Sequence, residues 1–194
     1  MKPSHFYFDE RILEREQTLF DQARFLAHRL QIDEHSGRNF YCLPQENDAR
    51  VLVNNNNRIE LLSNVCRHRQ AVMLRGSGTT QNIVCPLHGW TYNRTGEIQA
   101  APHFDPCPKS DLRKYRTQEW NGLLFEQGQH NIVDSLHQIG LAKYFNFSGY
   151  AFHSRVDHVC NYNWKTFIEV YLDDYHVVPF HPGLGQFVDC NKLN

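Results

Sequence analysis

The sequence predicts an α+β chain in which an antiparallel β domain, residues 39–149, follows a helical segment, residues 1–38, and precedes the start of a second α+β unit, residues 150–194. Three observations predict it. Apolar residues recur at helical spacing between positions 9 and 30. From Gly37 the pattern changes to short β-like runs separated by turn residues. Beyond about residue 150 it changes again, and a longer helical pattern returns.

Residues 9–30 read as one amphipathic helix, with Ile12, Leu13, Glu16, Leu19, Phe20, Ala23, Leu26 and Leu30 forming a mostly apolar stripe and Asp9 as N-cap. The role this implies is structural, covering a core. Phe40–Leu43, Arg50–Val53, Arg58–Val65, Asn82–Cys85 and Trp90–Tyr92 are the expected strands. Asn54–Asn57 is a turn, because Asn tolerates positive φ and bonds its own backbone. Gly76-Ser77-Gly78 and Asn93-Arg94-Thr95-Gly96 punctuate the following hairpins. The β domain fades through Pro102–Pro108 and resumes at Glu119–Phe125. Tyr150–Val159 is a further candidate strand, and Trp164–His176 reads as a helix until Pro179 prevents its continuation.

Composition narrows the class. Twenty basic against 21 acidic residues leave a formal charge of −1, so no strong field favours nucleic acid or a membrane surface. No apolar run approaches the roughly 20 residues that cross a bilayer, and the N-terminus has no apolar leader core. A cytoplasmic protein with reduced thiols is expected. Twelve histidines are the unusual count, and His is the commonest metal-binding side chain. Six cysteines would suit a secreted disulfide scaffold, but the chain has enough apolar residues not to need one.

Two of those cysteines have a more specific use. Cys66-Arg67-His68 is followed, after sixteen residues, by Cys85-Pro86-Leu87-His88. Each loop offers one thiolate and one imidazole. Two such loops can close over a two-iron cluster, both Cys on one iron and both His on the other. Neutral imidazoles in place of two thiolates move the potential from about −400 mV toward roughly −150 to +300 mV. Gly89 lets backbone approach the inorganic core, and Pro86 stiffens the second loop. Zinc, a redox disulfide and an unrelated set of core and surface groups compete with this reading. Zinc accepts two Cys and two His, though C-x-H and C-x-x-H is not the usual finger order.

The run Cys85-Pro86-Leu87-His88-Gly89-Trp90-Thr91-Tyr92, with Cys66-Arg67-His68-Arg69 before it and Gly96-Glu97-Ile98 after it, resembles the Rieske domain of non-haem iron, ring-hydroxylating-type oxygenases. The H-G-W-x-Y extension is more typical of these enzymes than of respiratory-chain Rieske proteins. Those usually carry a disulfide between the cluster loops, and here neither loop has the extra Cys. The resemblance implies a [2Fe–2S] cluster on Cys66, His68, Cys85 and His88. Cys42, Cys107, Cys160 and Cys190 are then core or free thiols.

A second metal site is expected downstream. On a helix, Glu169, Asp173 and His176 sit at i, i+4 and i+7 and share one face. Trp164, Phe167, Ile168, Tyr171, Leu172 and Tyr175 fill the packing positions. His181 follows Pro179, where a turned chain can aim it at the same ion. Two His and a carboxylate form the facial triad of non-haem Fe(II) oxygenases; taken alone, the same pattern fits an ordinary surface polar pair.

The order of the two motifs is similar to that of Rieske oxygenase α subunits. The resemblance implies that His176 and His181 bind a mononuclear Fe(II) and that Asp173 links this site to the cluster of a neighbouring subunit. It also implies a trimer or larger assembly, a flavin- and iron–sulfur-containing reductase as electron donor, and O2 with a small organic molecule as substrates. Residues 150–194 become the beginning of a helix-grip-like catalytic domain. The Glu-to-His spacing looks closer to the branch acting on quaternary ammonium compounds than to the naphthalene branch, and Val170 stands where many members have Asn. Family members take a third iron ligand, an Asp, from a helix far downstream. Asp189 is too near to match it, and Asp174 points off the ligand face. The expectation is a first half of an α subunit with poor or no turnover by itself. A Rieske ferredoxin-like electron carrier and a zinc-stabilised binding module remain as alternatives.

Overall fold

The computed structural model describes residues 3–21, 24–33, 37–129, 131–173, 175–181 and 183–186. The chain forms two compact units, residues 16–153 and residues 1–15 with 154–194. In chain order the elements are α1 (His5–Phe8), α2 (Glu10–Asp21), β1 (Phe25–His28), β2 (Phe40–Cys42), β3 (Arg50–Asn55), β4 (Arg58–Ser63), β5 (Ser77–Gly78) and β6 (Ile83–Val84). They continue as β7 (Thr91–Tyr92), β8 (Ile98–Ala100), β9 (Lys114–Tyr115), β10 (Thr117–Trp120), β11 (Leu123–Glu126), α3 (Ile132–Gln138), α4 (Trp164–Tyr171) and α5 (Val177–Phe180). The strands make three antiparallel sheets ordered β1-β11-β10, β5-β2-β3-β4-β9 and β6-β7-β8.

The centre of the five-stranded sheet is buried on both faces, as β3 shows. Residues Arg50–Asn54 are all buried. Side chains alternate along a strand, so Val51 and Val53 enter one core with Leu62, Tyr92, Ile83, Cys66 and Cys85. Leu52 enters the other, with Leu61, Leu26, Ala27 and Leu124. Burying a residue such as Leu52 contributes about 1.5–3 kcal/mol. The Asn56-Asn57 turn joins β3 to β4 with φ of 51° and 69°, as a two-residue hairpin loop requires. Asn54 belongs to β3 and braces the turn: its Oδ1 accepts the Asn57 N–H at 2.8 Å.

Four expectations need correcting. The helix over 9–30 ends at Asp21 and gives way to strand β1. Leu26, placed on the helical stripe, is fully buried on β1 with Ala27, which pairs with Leu124 of β11. Long-range pairing outweighed a local period. Asp9 does cap α2, accepting the Arg11 N–H at 2.9 Å. Second, Ser77–Gly78 of the expected Gly-Ser-Gly punctuation is an edge strand paired with β2, packed so closely that a Cβ on Gly78 would sit 3.2 Å from the Phe40 ring.

Third, Tyr150–Val159 forms no strand. The unit containing residues 154–159 has no strand among its described residues, so an extended segment there has no pairing partner. Fourth, the helix over 164–176 stops at Tyr171. Asn163 caps its start through the Lys165 N–H at 2.9 Å. At the other end Asp173 Oδ1 takes the Tyr175 N–H at 3.1 Å, a side-chain bond that competes with helix continuation. Pro179 lies in the first turn of α5, where its missing N–H costs nothing. Asp174, Asp189 and Cys190 lie outside the described residues.

Candidate metal centres

Two loops of the larger unit close in the same way despite different spacing. The Cys66 N–H donates to Ala71 O at 2.9 Å, and the Gln70 N–H returns to Cys66 O at 3.0 Å. In the second loop the Cys85 N–H donates to Trp90 O at 2.8 Å, and the Gly89 N–H returns to Cys85 O at 3.0 Å. The fifth residue of each loop has positive φ, 58° at Gln70 and 71° at Gly89. Both loops therefore turn six residues back on themselves, with the cysteine at the root and the histidine near the tip. Asn64, fully buried, anchors the first loop by donating to Asp48 O and Leu74 O at 2.8 and 2.7 Å.

The four donors come together as two pairs. Cys66 and Cys85 are buried free thiols in one core, both beside the Tyr92 ring. The Tyr92 hydroxyl lies 3.7 Å from Cys66 Sγ, a pair in which either group can donate, and accepts the Arg67 N–H at 3.2 Å. Burial pushes the Tyr92 phenol up, so the phenol proton is retained. On the outer side, the His68 and His88 rings sit 4.7 Å apart. Burial, with His88 and Arg69 adding to it, lowers the His68 pKa and favours the neutral imidazole that a metal needs.

His68 Nδ1 is buried without a hydrogen-bond partner. A buried polar atom left unpaired is costly, and a metal ion would satisfy this one. Two thiols on one side and two imidazoles on the other suit a cluster that gives each iron two donors of one kind. Among the described residues no three His, Cys, Asp or Glu converge on one ion.

Aromatic rings surround His68. The Trp90 indole is parallel to its imidazole, centroids 5.0 Å apart and planes 5° apart. Phe104 stands edge-on to both, at 5.6 and 5.3 Å. Tyr92 and Phe104 were not legible as functional residues. Tyr92 had a signal, the last position of H-G-W-x-Y on a strand whose inward face it occupies. Phe104 had none, standing alone in a proline-rich stretch.

In the smaller unit the structure brings His176 and His181 together, sets Asp173 beside His176, and leaves Glu169 apart. His176 and His181 flank α5 as its N-cap and C-cap, with ring centroids 5.4 Å apart. They line a concavity of about 490 Å³ with Tyr171, Val177, Gly183 and Leu184. His176 Nδ1 is buried without a hydrogen bond, 3.9 Å from Asp173 Oδ2. The shared helix face expected for Glu169, Asp173 and His176 does not form, because α4 ends before Asp173. Glu169 instead accepts the Tyr7 hydroxyl at 2.5 Å. That carboxylate raises the Tyr7 pKa. Asn163 Nδ2 and Lys165 Nζ hold the carbonyls of Tyr7 and Phe6, so the α1 segment is tied to the start of α4.

Comparison with known proteins covers both centres. Residues 24–116 match the Rieske [2Fe-2S] domain, and residues 147–194 match the ring hydroxylating alpha subunit (catalytic domain). The chain is 52% identical over 193 residues to a putrescine 2-hydroxylase of Ralstonia nicotianae, covering 98% of this chain and 52% of that protein. It is 45% identical to a putrescine 2-hydroxylase of Bordetella bronchiseptica, with 98% and 48% covered. The chain thus spans about half the length of these relatives. Its fold is similar to that of a quaternary ammonium Rieske monooxygenase in complex with L-carnitine, with a TM-score of 0.72 at 23% identity, covering 96% of this chain and 57% of that one. Naphthalene 1,2-dioxygenase from Rhodococcus sp. gives 0.70 at 23% identity, with 95% and 46% covered.

Proposed function

The chain belongs to the Rieske non-haem iron oxygenases, corresponding to the N-terminal portion of their α subunits, and on that premise we propose that it serves an O2-dependent hydroxylation of a small aliphatic amine. The observation that carries this reading is the buried, unpartnered Nδ1 of His68, beside His88 and opposite the two thiols. A [2Fe–2S] cluster and a mononuclear iron, when bound, supply one-electron transfer and O2 activation.

The chain's own residues do the holding and orienting. Cys66 and Cys85 would hold the cluster as thiolates on the buried side, and His68 and His88 would hold it as neutral imidazoles on the outer side. Tyr92 keeps its proton and donates it to the Cys66 sulfur. His176 and His181 supply two donors to the mononuclear iron. Asp173 Oδ2 stands 3.9 Å from His176 Nδ1, on the side where a carboxylate that orients a metal-binding histidine would stand. Asp173 also connects this site to a cluster histidine of the neighbouring subunit in a trimer. On this reading residues 39–149 would hold the electron-transfer centre, residues 150–194 begin the catalytic domain, and of residues 1–38 the α1 segment packs on the latter through Asn163 and Lys165. A flavin- and iron–sulfur-containing reductase feeds the cluster, and the protein works in the cytoplasm. The two relatives named as putrescine 2-hydroxylases favour monooxygenation and an amine substrate over a ring dioxygenation.

Anaerobic reconstitution with iron and sulfide, followed by EPR of the dithionite-reduced protein, tests the reading. A signal with average g below 2 and about three irons per chain is expected. Bound zinc without that signal overturns the redox reading; about two irons reduces it to electron transfer alone. In an α subunit spanning the relatives' full length, mass spectrometry of putrescine incubated with reductase and O2 checks the substrate class.

A further inference from the structure

Phe104 reaches His68 through a turn that a non-glycine residue rarely makes. The Phe104 N–H donates to Ala101 O at 3.1 Å, closing a four-residue turn with Pro102 and His103 at its centre. Pro suits the first central position, but the second has φ of +68°, a conformation usually left to Gly or Asn, and here His103 adopts it. Ala101, 7% exposed, pins the turn into the core. The outcome is an aromatic ring from a third loop standing at 82° to the His68 imidazole and 87° to the Trp90 indole. Phe104 keeps 46% of its surface in water while Trp90 keeps 4%. One ring is fixed inside; the other covers from outside.

We infer that Phe104 is a positioning residue for the cluster: with Trp90 it fixes the plane of the His68 imidazole and keeps water from that iron. The inference rests on the cluster reading above. Trp90 lies parallel to the imidazole and bars tilting toward the core. Phe104 meets the same ring edge-on, the geometry that aromatic quadrupoles favour, and bars rotation toward solvent. The charge consequence has a sign. Two ferric ions, two sulfides and two thiolates sum to zero, so one-electron reduction leaves the cluster anionic. Water stabilises that charge and an aromatic cover does not. Removing the Phe104 ring therefore raises the midpoint potential.

The test compares the reconstituted unmodified chain with Phe104→Ala and Phe104→Tyr. Dye-mediated redox titration gives the midpoint potential, and pulsed EPR gives the nitrogen couplings of the two ligating imidazoles. Phe104→Ala is expected to raise the potential and to change one imidazole coupling while sparing the other; Phe104→Tyr restores both. A Phe104→Ala protein that keeps its β-sheet circular dichroism but loses iron also supports the inference, since His68 is then not held. If Phe104→Ala loses its fold, Phe104→Leu takes its place in the comparison. An unmoved potential with unmoved couplings overturns the role of Phe104 and leaves the cluster reading intact. Absence of any cluster signal from the unmodified chain overturns both.

Discussion

Asp173 faces in two directions: Oδ1 accepts the Tyr175 N–H at 3.1 Å, and Oδ2 lies 3.9 Å from His176 Nδ1. The second distance is too long for a hydrogen bond, but it sets the carboxylate beside the imidazole. In an α subunit of full length, Asp173→Ala should retain both metals and lower product formation by about 10–100-fold, the usual cost of losing such a partner. Stopped-flow reoxidation of the reduced cluster, in the presence of amine and O2, locates the block at electron delivery. Unchanged product formation would count against the linking role.

Cys85→Ser should remove the visible chromophore and weaken the larger unit. On the proposed assignment the Cys85 thiolate is a ligand, and metal binding to a site formed only on folding adds its free energy to folding. Val51, Ile83 and Tyr92 share a core with Cys85, so loosening there reaches the central sheet. Absorbance and thermal melts of the reconstituted variant check this. An unchanged visible spectrum refutes Cys85 as a ligand.

The two Cys/His loops were legible because their geometry is local: Cys, His, Gly and Pro at fixed offsets describe a loop with little help from the rest of the chain. Most central strands were legible for the same reason, with Phe40, Val51 and Leu62 falling inside expected runs. What failed was whatever depended on a distant partner. Leu26 belongs to a strand only because β11 lies beside it. Glu169 leaves the His176 site because Tyr7, 162 positions away, takes its carboxylate. Asp173 is the local exception: it takes the N–H of Tyr175, two residues on, where the helix was expected to continue. Phe104 meets His68 through a turn whose strained residue, His103, carries no turn signal.

Acid should destabilise the larger unit through Glu126. Its carboxylate receives Arg50 Nη1 and Nη2 at 2.6 and 2.8 Å, and this pairing holds its pKa below the ordinary 4.5. A carboxylate depressed on folding adds stability above its unfolded value, and that contribution is lost as pH falls through the folded value. The loss therefore begins near pH 4.5 and deepens below it. Glu126→Gln should flatten this part of the profile and lower stability at neutral pH by less than about 3 kcal/mol, because Glu46 still pairs with Arg50. Urea melts across that pH range measure both effects; identical acid limbs for the two proteins would dismiss the Arg50–Glu126 pair as their cause.

Alkylation should separate the spare thiols by environment. Burial pushes the Cys42 pKa up to about 12, so almost no thiolate exists at pH 8. Cys107 and Cys160 are exposed. Iodoacetamide under native conditions should therefore modify Cys107 and Cys160 and spare Cys42 until denaturant is added. Peptide mass spectrometry reads this directly, and early labelling of Cys42 would show that the core around Asn64 opens.

Gly122→Ala should be among the most damaging single-methyl additions in the larger unit, for two separable reasons. Gly122 has φ of +83°, a left-handed conformation that costs a side chain about 1–2 kcal/mol. A Cβ there would also sit 2.8 Å from His28 Nε2 and 2.9 Å from Cε1. His28 cannot retreat freely, because its Nδ1 accepts the Leu30 N–H at 3.1 Å and its backbone N–H donates to Gln31 at 2.8 Å. The clash is therefore transmitted to β1, whose Leu26 and Ala27 are fully buried. Gly76→Ala is the internal control: φ is +63°, but nothing lies within 4 Å of the added carbon, so only the backbone penalty applies. Chemical melts should place Gly122→Ala at about 2–4 kcal/mol of destabilisation, the range of overpacking added to a strained backbone, and Gly76→Ala at about half that or less. Equal losses in the two variants would mean that His28 moves at no cost and that the contact between β1 and the β10–β11 turn is not held by it.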